Sequence, residues 1–293
     1  MSLQHQRVAS IGLGAMGAAL AKALLAGGAE VRVWNRTPEK AAVLGAAGAI
    51  VCSSARDAIA GSEFVVVCVS DYAAWNALVD AEQLGRVLTG RTILQLTTGT
   101  AAEARAHENW ARQCNARVVD GAIMCFPSQI GTEQAVVLAA GARPVFDACG
   151  DILAALAPNV TYLEDNVAAP AILDMASLSA MLGYLMGIAS GAALCAAGGV
   201  PLSRLTELTR AGGSVVLAEG IRVCAAIETG NTKDTEASLA TWAAVAPKLV
   251  SLAQMLGTNA ELPTAQQRVF QAAVERGLGQ HDIAALVHVL GKG

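Results

Sequence analysis

A parallel α/β domain followed by an all-helical domain is the fold class that three observations in the sequence predict. Short β-branched runs alternate with Ala-rich helical stretches through the first half. Strand signals stop near Asp165, and beyond that point only helical segments separated by Gly- or Pro-containing turns remain. The length, 293 residues, suits two domains.

Strands are expected over 8–11, 31–34, 64–69, 92–96, 118–120 and 135–139, with helices in the gaps. Several of these runs are apolar on both faces, as strands covered by helices on two sides must be. A turn over 157–160 precedes one more strand. A long helix then begins, with Pro170 tolerated near its first turn. Further helices are expected over 202–211, 214–227, 235–256, 262–276 and 283–290. This divides the chain into an α/β domain, 1–164, an inter-domain helix, 165–198, and a helical dimerisation and substrate domain, 199–293.

From Met175 to Ser203 there is no charged residue, and Gly183, Gly187 and Gly191 repeat the small-residue spacing that packs membrane helices. The flanks lack a Lys or Arg cluster, however, and the segment follows a nucleotide-binding pattern, so burial in protein is the expectation and a membrane span is not. So apolar a surface calls for a partner, and an intertwined homodimer is the expected one.

Composition narrows the function classes. A net charge of -4 and the lack of any run of Lys or Arg argue against nucleic acid. The cysteines (Cys52, Cys68, Cys114, Cys125, Cys149, Cys195, Cys224) are scattered without a C-x-x-C pair, so neither a metal site nor a disulfide framework is expected. The opening MSLQHQRVAS has no apolar stretch of the secretory kind, and a cytoplasmic location is predicted.

Gly12, Gly14 and Gly17 form G-x-G-x-x-G between the first strand and the first helix, the setting in which that motif binds a dinucleotide. The first glycine makes the turn, the second admits a pyrophosphate, the third lets helix and strand meet, and free N–H groups receive the phosphates. A Rossmann domain is therefore expected, with Leu13, Ala15 and Met16 completing the loop. The second strand ends without the Asp or Glu that would accept from a ribose 2′-hydroxyl. In its place stand Asn35, Arg36, Thr37 and Lys40, which favour a 2′-phosphate and hence NADPH or NADP. Val69, Ser70, Thr97 and Thr98 complete the candidate cofactor contacts.

Beyond the fingerprint, IGLGAMGAALAKALLAGG followed by VWNRTPEKA resembles the β-hydroxyacid dehydrogenase superfamily. LQLTTGTAAEA, VVDGAIMCFPSQIGTEQAVVLAAG and the tail GLGQHDIAALVHVL are similar to segments of the imine reductases within it. The resemblance spans nearly the whole chain. Two marks of true hydroxyacid dehydrogenases are missing: Ile123-Met124-Cys125-Phe126 stands where a substrate-carboxylate motif belongs, and the long helix carries Asp174 and no Lys. The matching position in imine reductases is commonly Asp or Tyr, so the resemblance implies that Asp174 is catalytic. It also implies that Thr98 lies near the nicotinamide amide.

The chemistry agrees with that assignment. A neutral imine accepts hydride poorly until its nitrogen is protonated or hydrogen-bonded. Asp174 is the only carboxyl or amine between Asp165 and Arg204, and an apolar setting raises a carboxyl pKa. It can donate a proton or, when ionised, balance an iminium. Met124, Leu178, Met181 and Trp242 are apolar candidates for the substrate wall, which would suit a hydrophobic cyclic imine. His5, His107, His281 and His288 read as surface or packing residues. Two alternatives stand beside this one: a β-hydroxyacid dehydrogenase-like oxidoreductase of aldehydes or hydroxyacids, and a non-catalytic NADP-binding regulator.

Overall fold

A computed structural model describes residues 3–291, and their contacts divide the chain into two units, Met1–Ser179 and Ala180–Gly293. The elements of the first, in chain order, are β1 (Arg7–Ile11), α1 (Ala15–Ala26), β2 (Glu30–Trp34), α2 (Pro38–Gly45), β3 (Ile50–Val51), α3 (Ala55–Ala60), β4 (Phe64–Val67), α4 (Tyr72–Ala81), β5 (Thr92–Gln95), α5 (Ala101–Gln113), β6 (Arg117–Ile123), β7 (Val136–Ala140), α6 (Arg143–Ala148), α7 (Gly150–Leu156) and β8 (Asn159–Tyr162). They form an eight-stranded sheet in the order β3-β2-β1-β4-β5-β6-β7-β8.

Side chains alternate across the strands and build two cores. Val8, Val66, Leu94 and Val119 pack with Leu20 and Leu24 of α1 and with Ile152, Leu153 and Leu156 of α7. Ile11, Val65, Val67, Ile93 and Val118 pack on the other face with Ile59 of α3, Trp75 of α4 and Ala111 of α5. The nucleotide-binding order β2-β1-β4-β5 places the exits of β1 and β4 side by side, and ligands bind at such a switch point.

Two details of the first unit depart from the sequence expectation. β7 runs antiparallel to β6, pairing Asp120 with Ala140 and Ile123 with Val137. The segment joining them carries only a 3-10 turn at Pro127–Gln129 and no crossover helix, so the chain reverses directly. β3 was not foreseen; it is a two-residue edge strand with both side chains exposed, too short to show a period.

α8 (Ala169–Ala197) crosses the division between the units, and α9 (Leu202–Thr229), α10 (Leu239–Met255), α11 (Glu261–Glu275) and α12 (Val287–Leu290) complete the second. The two helices expected over 202–227 are one, because the Gly212-Gly213 pair is accommodated inside α9; Gly weakens a helix by about 1 kcal/mol against Ala, which does not by itself break it. Leu239, Ala273 and Ala285 form a small core of the second unit. Its tail is held by side chains: Arg222 pairs with the buried Asp282, and the Thr232 hydroxyl meets Nδ1 of His281 at 2.9 Å. α8 is long and apolar enough to cross a membrane by length and composition, and its most apolar stretch is not buried in the protomer.

Candidate active site

The turn between β1 and α1 explains its glycines atom by atom. Gly12 has φ +89°, a conformation that side chains disfavour, and an added Cβ would overlap the Cys68 carbonyl oxygen. A Cβ on Gly17 would overlap the Gly12 carbonyl oxygen, whereas nothing lies within 4 Å of the position beside Gly14. The open side of the loop is therefore at Gly14, the N-cap of α1. The first intrahelical bond runs from Ala18 N to Gly14 O, so the N–H groups of Ala15, Met16 and Gly17 precede it and are available to an anion.

Leu13 plays a different part from its neighbours. Its side chain is in the core, and its N–H donates to Oδ1 of Asn35 at 2.9 Å. The Asn35 amide in turn donates to the Thr37 carbonyl at 3.0 Å. Asn35 thus ties the glycine turn to the loop after β2, where Arg36, Thr37 and Lys40 are exposed. Arg36 and Lys40 make no ion pair among the described residues. Two free cations and a hydroxyl beside a cradle of free N–H groups fit the phosphates of NADP.

The exits of β4 and β5 are joined by a second set of bonds. Val69 N donates to Oγ1 of Thr97 at 3.2 Å, and Thr97 N donates to Oε1 of Gln95 at 3.1 Å. Thr97 is buried by this arrangement, while Thr98 and Ser70 are exposed. Sequence reasoning did not single out Gln95 or Asp120, both buried. A signal was present: each directly follows an apolar pair inside a strand, Ile93-Leu94 before Gln95 and Val118-Val119 before Asp120.

Asp174 lies in the early turns of α8, whose buried residues are Pro170, Ala171 and Asp174. At 7% exposure it is turned away from bulk water, and burial raises its carboxyl above the ordinary value of 3.8. It has no hydrogen bond or ion pair among the described residues. Burial of this kind favours the protonated form of the carboxyl. Met124 follows β6 and donates its N–H to Val136 O at 2.9 Å, and Leu178 is half-buried on α8. Met181 and Trp242 belong to the second unit and are 42% and 40% exposed. Among the described residues no cluster of His, Cys, Asp and Glu could hold a metal ion, and the seven cysteines are free.

Residues 7–163 match the family described as the NAD binding domain of 6-phosphogluconate dehydrogenase, and residues 166–292 match the NADPH-dependent reductive aminase-like C-terminal domain. An NADPH-dependent reductive aminase of Aspergillus oryzae is 33% identical over 195 residues; the match covers 66% of this chain and 65% of that protein, a little under two thirds of its length. Among solved structures, an imine reductase from Myxococcus stipitatus in complex with NADP+ superposes with a TM-score of 0.93 at 32% identity, covering 97% of this chain and 99% of the other. A reductive aminase from Aspergillus terreus in complex with NADPH4, cyclohexanone and allyl amine follows at 0.89 and 29%, covering 98% and 99%. With a dinucleotide cradle, a buried carboxyl on the long helix and kinship across both halves, the chain belongs to the imine reductase family of nicotinamide-dependent oxidoreductases.

Proposed function

We propose that this protein reduces the C=N bond of imines to amines with NADPH, and that Asp174 supplies the proton or, when ionised, stabilises an iminium. The observation that carries the reading is the Asp174 carboxyl itself, buried, unpartnered and shifted toward its protonated form. NADPH, when bound, supplies the hydride. The chain's own part is to anchor phosphates on the N–H groups of Ala15, Met16 and Gly17, to hold a 2′-phosphate with Arg36, Thr37 and Lys40, and to meet the imine nitrogen with Asp174. Val69, Ser70, Thr97 and Thr98 would flank the nicotinamide end.

A hydrophobic substrate is proposed, and a cyclic imine is its class. An Aspergillus terreus relative was solved with dibenz[c,e]azepine, a bulky cyclic ligand. The α/β domain of 1–164, the helix of 165–198 and the helical domain of 199–293 remain the proposed division of labour. A second copy of this chain is the proposed cover for the exposed apolar side chains of the helical unit, among them Leu182 and Leu185 on α8, Leu217 and Ile221 on α9 and Leu249 on α10. α9 also carries Arg204, Glu207, Arg210 and Glu219, which a lipid phase would reject and a folded partner accepts. A homodimer in the cytoplasm is the assembly proposed.

The test is a substrate panel followed by loss of NADPH absorbance. Turnover of cyclic imines such as 1-pyrroline, with little turnover of glyoxylate or hydroxyacids, is expected. Preference for the aldehydes and hydroxyacids would replace the proposal with a hydroxyacid-type oxidoreductase. Tight NADPH binding without oxidation by any member of the panel would make the protein a regulator.

A further inference from the structure

Beneath the proposed nicotinamide loop lies a set of buried polar side chains that the chemistry above does not use. Tyr72 opens α4 and is 3% exposed; its hydroxyl donates to Oδ2 of Asp120 at 2.6 Å. Asp120 sits on β6 beside Gln95 of β5, its partner in the parallel register. Both side chains point to the face covered by α4 and α5, since each shares the parity of its neighbour in that core, Val118 and Ile93. Gln95 holds the Thr97 amide, and Thr97 holds the Val69 amide. Nε2 of Gln95 is buried without a partner, a costly state that an aliphatic residue would avoid. The gain from this amide therefore lies in the bond its oxygen makes to the loop.

Gly99 connects the loop to the tyrosine. An added Cβ there would overlap Cε2 and Cδ2 of Tyr72, so the backbone after Thr98 lies directly on the ring. The ring cannot retreat. His107 meets it edge-on at 5.8 Å and 78°, and Trp75 and Trp110 back the histidine in turn. Burial keeps that imidazole neutral, with its pKa pushed down to about 4. Between the buried Thr97 and the seated Gly99, Thr98 is left exposed at the carboxyl end of β5, the edge at which such sheets bind ligands.

We propose that Tyr72 and Asp120 are positioning residues that seat the loop 96–100 and thereby set how firmly the nicotinamide end of the cofactor is held. They touch no reacting atom. The inference rests on the reading that the protein binds NADPH, and it assigns the floor of the nicotinamide loop to a tyrosine fixed from below by a carboxyl on the next strand but one from β4.

Two ligands separate positioning from general stability: NADPH, and 2′-phospho-ADP-ribose, which is the oxidised dinucleotide without its nicotinamide. Dissociation constants are measured by calorimetry on the full chain. Tyr72→Phe, which removes only the hydroxyl, is expected to weaken NADPH about tenfold and the truncated ligand less than about twofold. Asp120→Leu should behave alike, and Asp120→Asn, which keeps an acceptor oxygen, should recover most of the loss. If Tyr72→Phe does not fold, Gly99→Ala lifts the loop with the tyrosine bond intact and should show the same selective loss. Equal weakening of both ligands, or of neither, overturns the proposal. A wild-type protein that binds neither ligand overturns the cofactor reading and this one with it; normal wild-type binding with unselective variants overturns this one alone.

Discussion

In the first unit, β1, β4 and β5 bury both faces, with Val8, Val66 and Leu94 on one side and Ile11, Val65 and Ile93 on the other. In the second, α9 runs through 28 residues without burying one, and Leu208, Val215, Leu217 and Ile221 on it are all more than 60% exposed. The α/β unit thus carries its own core, and the geometry of its dinucleotide turn is fixed by contacts inside one protomer. The helical unit leaves much apolar surface exposed, which the proposed second copy would cover. Cofactor binding should therefore depend on local atoms of the first unit, and the integrity of the second on association.

The largest effect expected from breaking that contrast is at Gly17. Gly17→Ala puts a methyl into the Gly12 carbonyl, which no flexible side chain can relieve, and NADPH affinity should fall by about 100-fold or more. Calorimetric titration measures it; binding close to wild type would show that the turn is not the phosphate cradle. On the helical side, Leu217→Lys with Ile221→Lys places two charges one turn apart on the exposed face of α9. Light scattering should give the wild type twice the chain mass of 29.8 kDa and the variant a loss of that species. A monomeric wild type removes the proposed assembly.

A smaller change is expected at the rim of the cofactor site. Arg36→Ala should raise KM for NADPH about tenfold while leaving KM for NADH nearly unchanged, since only the 2′-phosphate loses a partner. Equal effects on both would remove Arg36 from phosphate recognition.

The smallest effect is one of slope. Burial raises the Asp120 carboxyl to about 7, above the 3.8 of an ordinary carboxyl, so between these values the folded protein keeps a proton that the unfolded chain has released. Asp120 then contributes stability at low pH that is lost as pH rises through that window, by at most about 1.4 kcal/mol per pH unit. Denaturant titrations of wild type and Asp120→Asn should differ by such a slope; parallel curves would show that Asp120 does not titrate there.

Much of this was legible in the sequence because it follows from local chemistry. Gly12 needs a positive φ, Gly17 needs to lack a Cβ, and Pro170 fits a first helical turn; each is readable from a few neighbours. The strands of the nucleotide-binding half were visible for the same reason. What escaped were features decided by partners far along the chain. The Asn35 side chain reaches Leu13, 22 residues away, so it ties two loops together, which its place in the motif does not show. Tyr72 and Asp120 meet across 48 residues. The reversal of β7 was likewise settled by its pairing with β6, whereas the continuity of α9 through Gly212-Gly213 was misjudged because a Gly pair weakens a helix without ending it.

Turnover and cofactor affinity of Asp174→Ala, measured side by side on a cyclic imine, bear most directly on the central claim. Loss of the buried carboxyl should cut kcat by about 100-fold or more while the dissociation constant for NADPH stays within about twofold of wild type. Undiminished kcat in the alanine variant would contradict the account, because the protonating or charge-balancing group would then have to lie elsewhere.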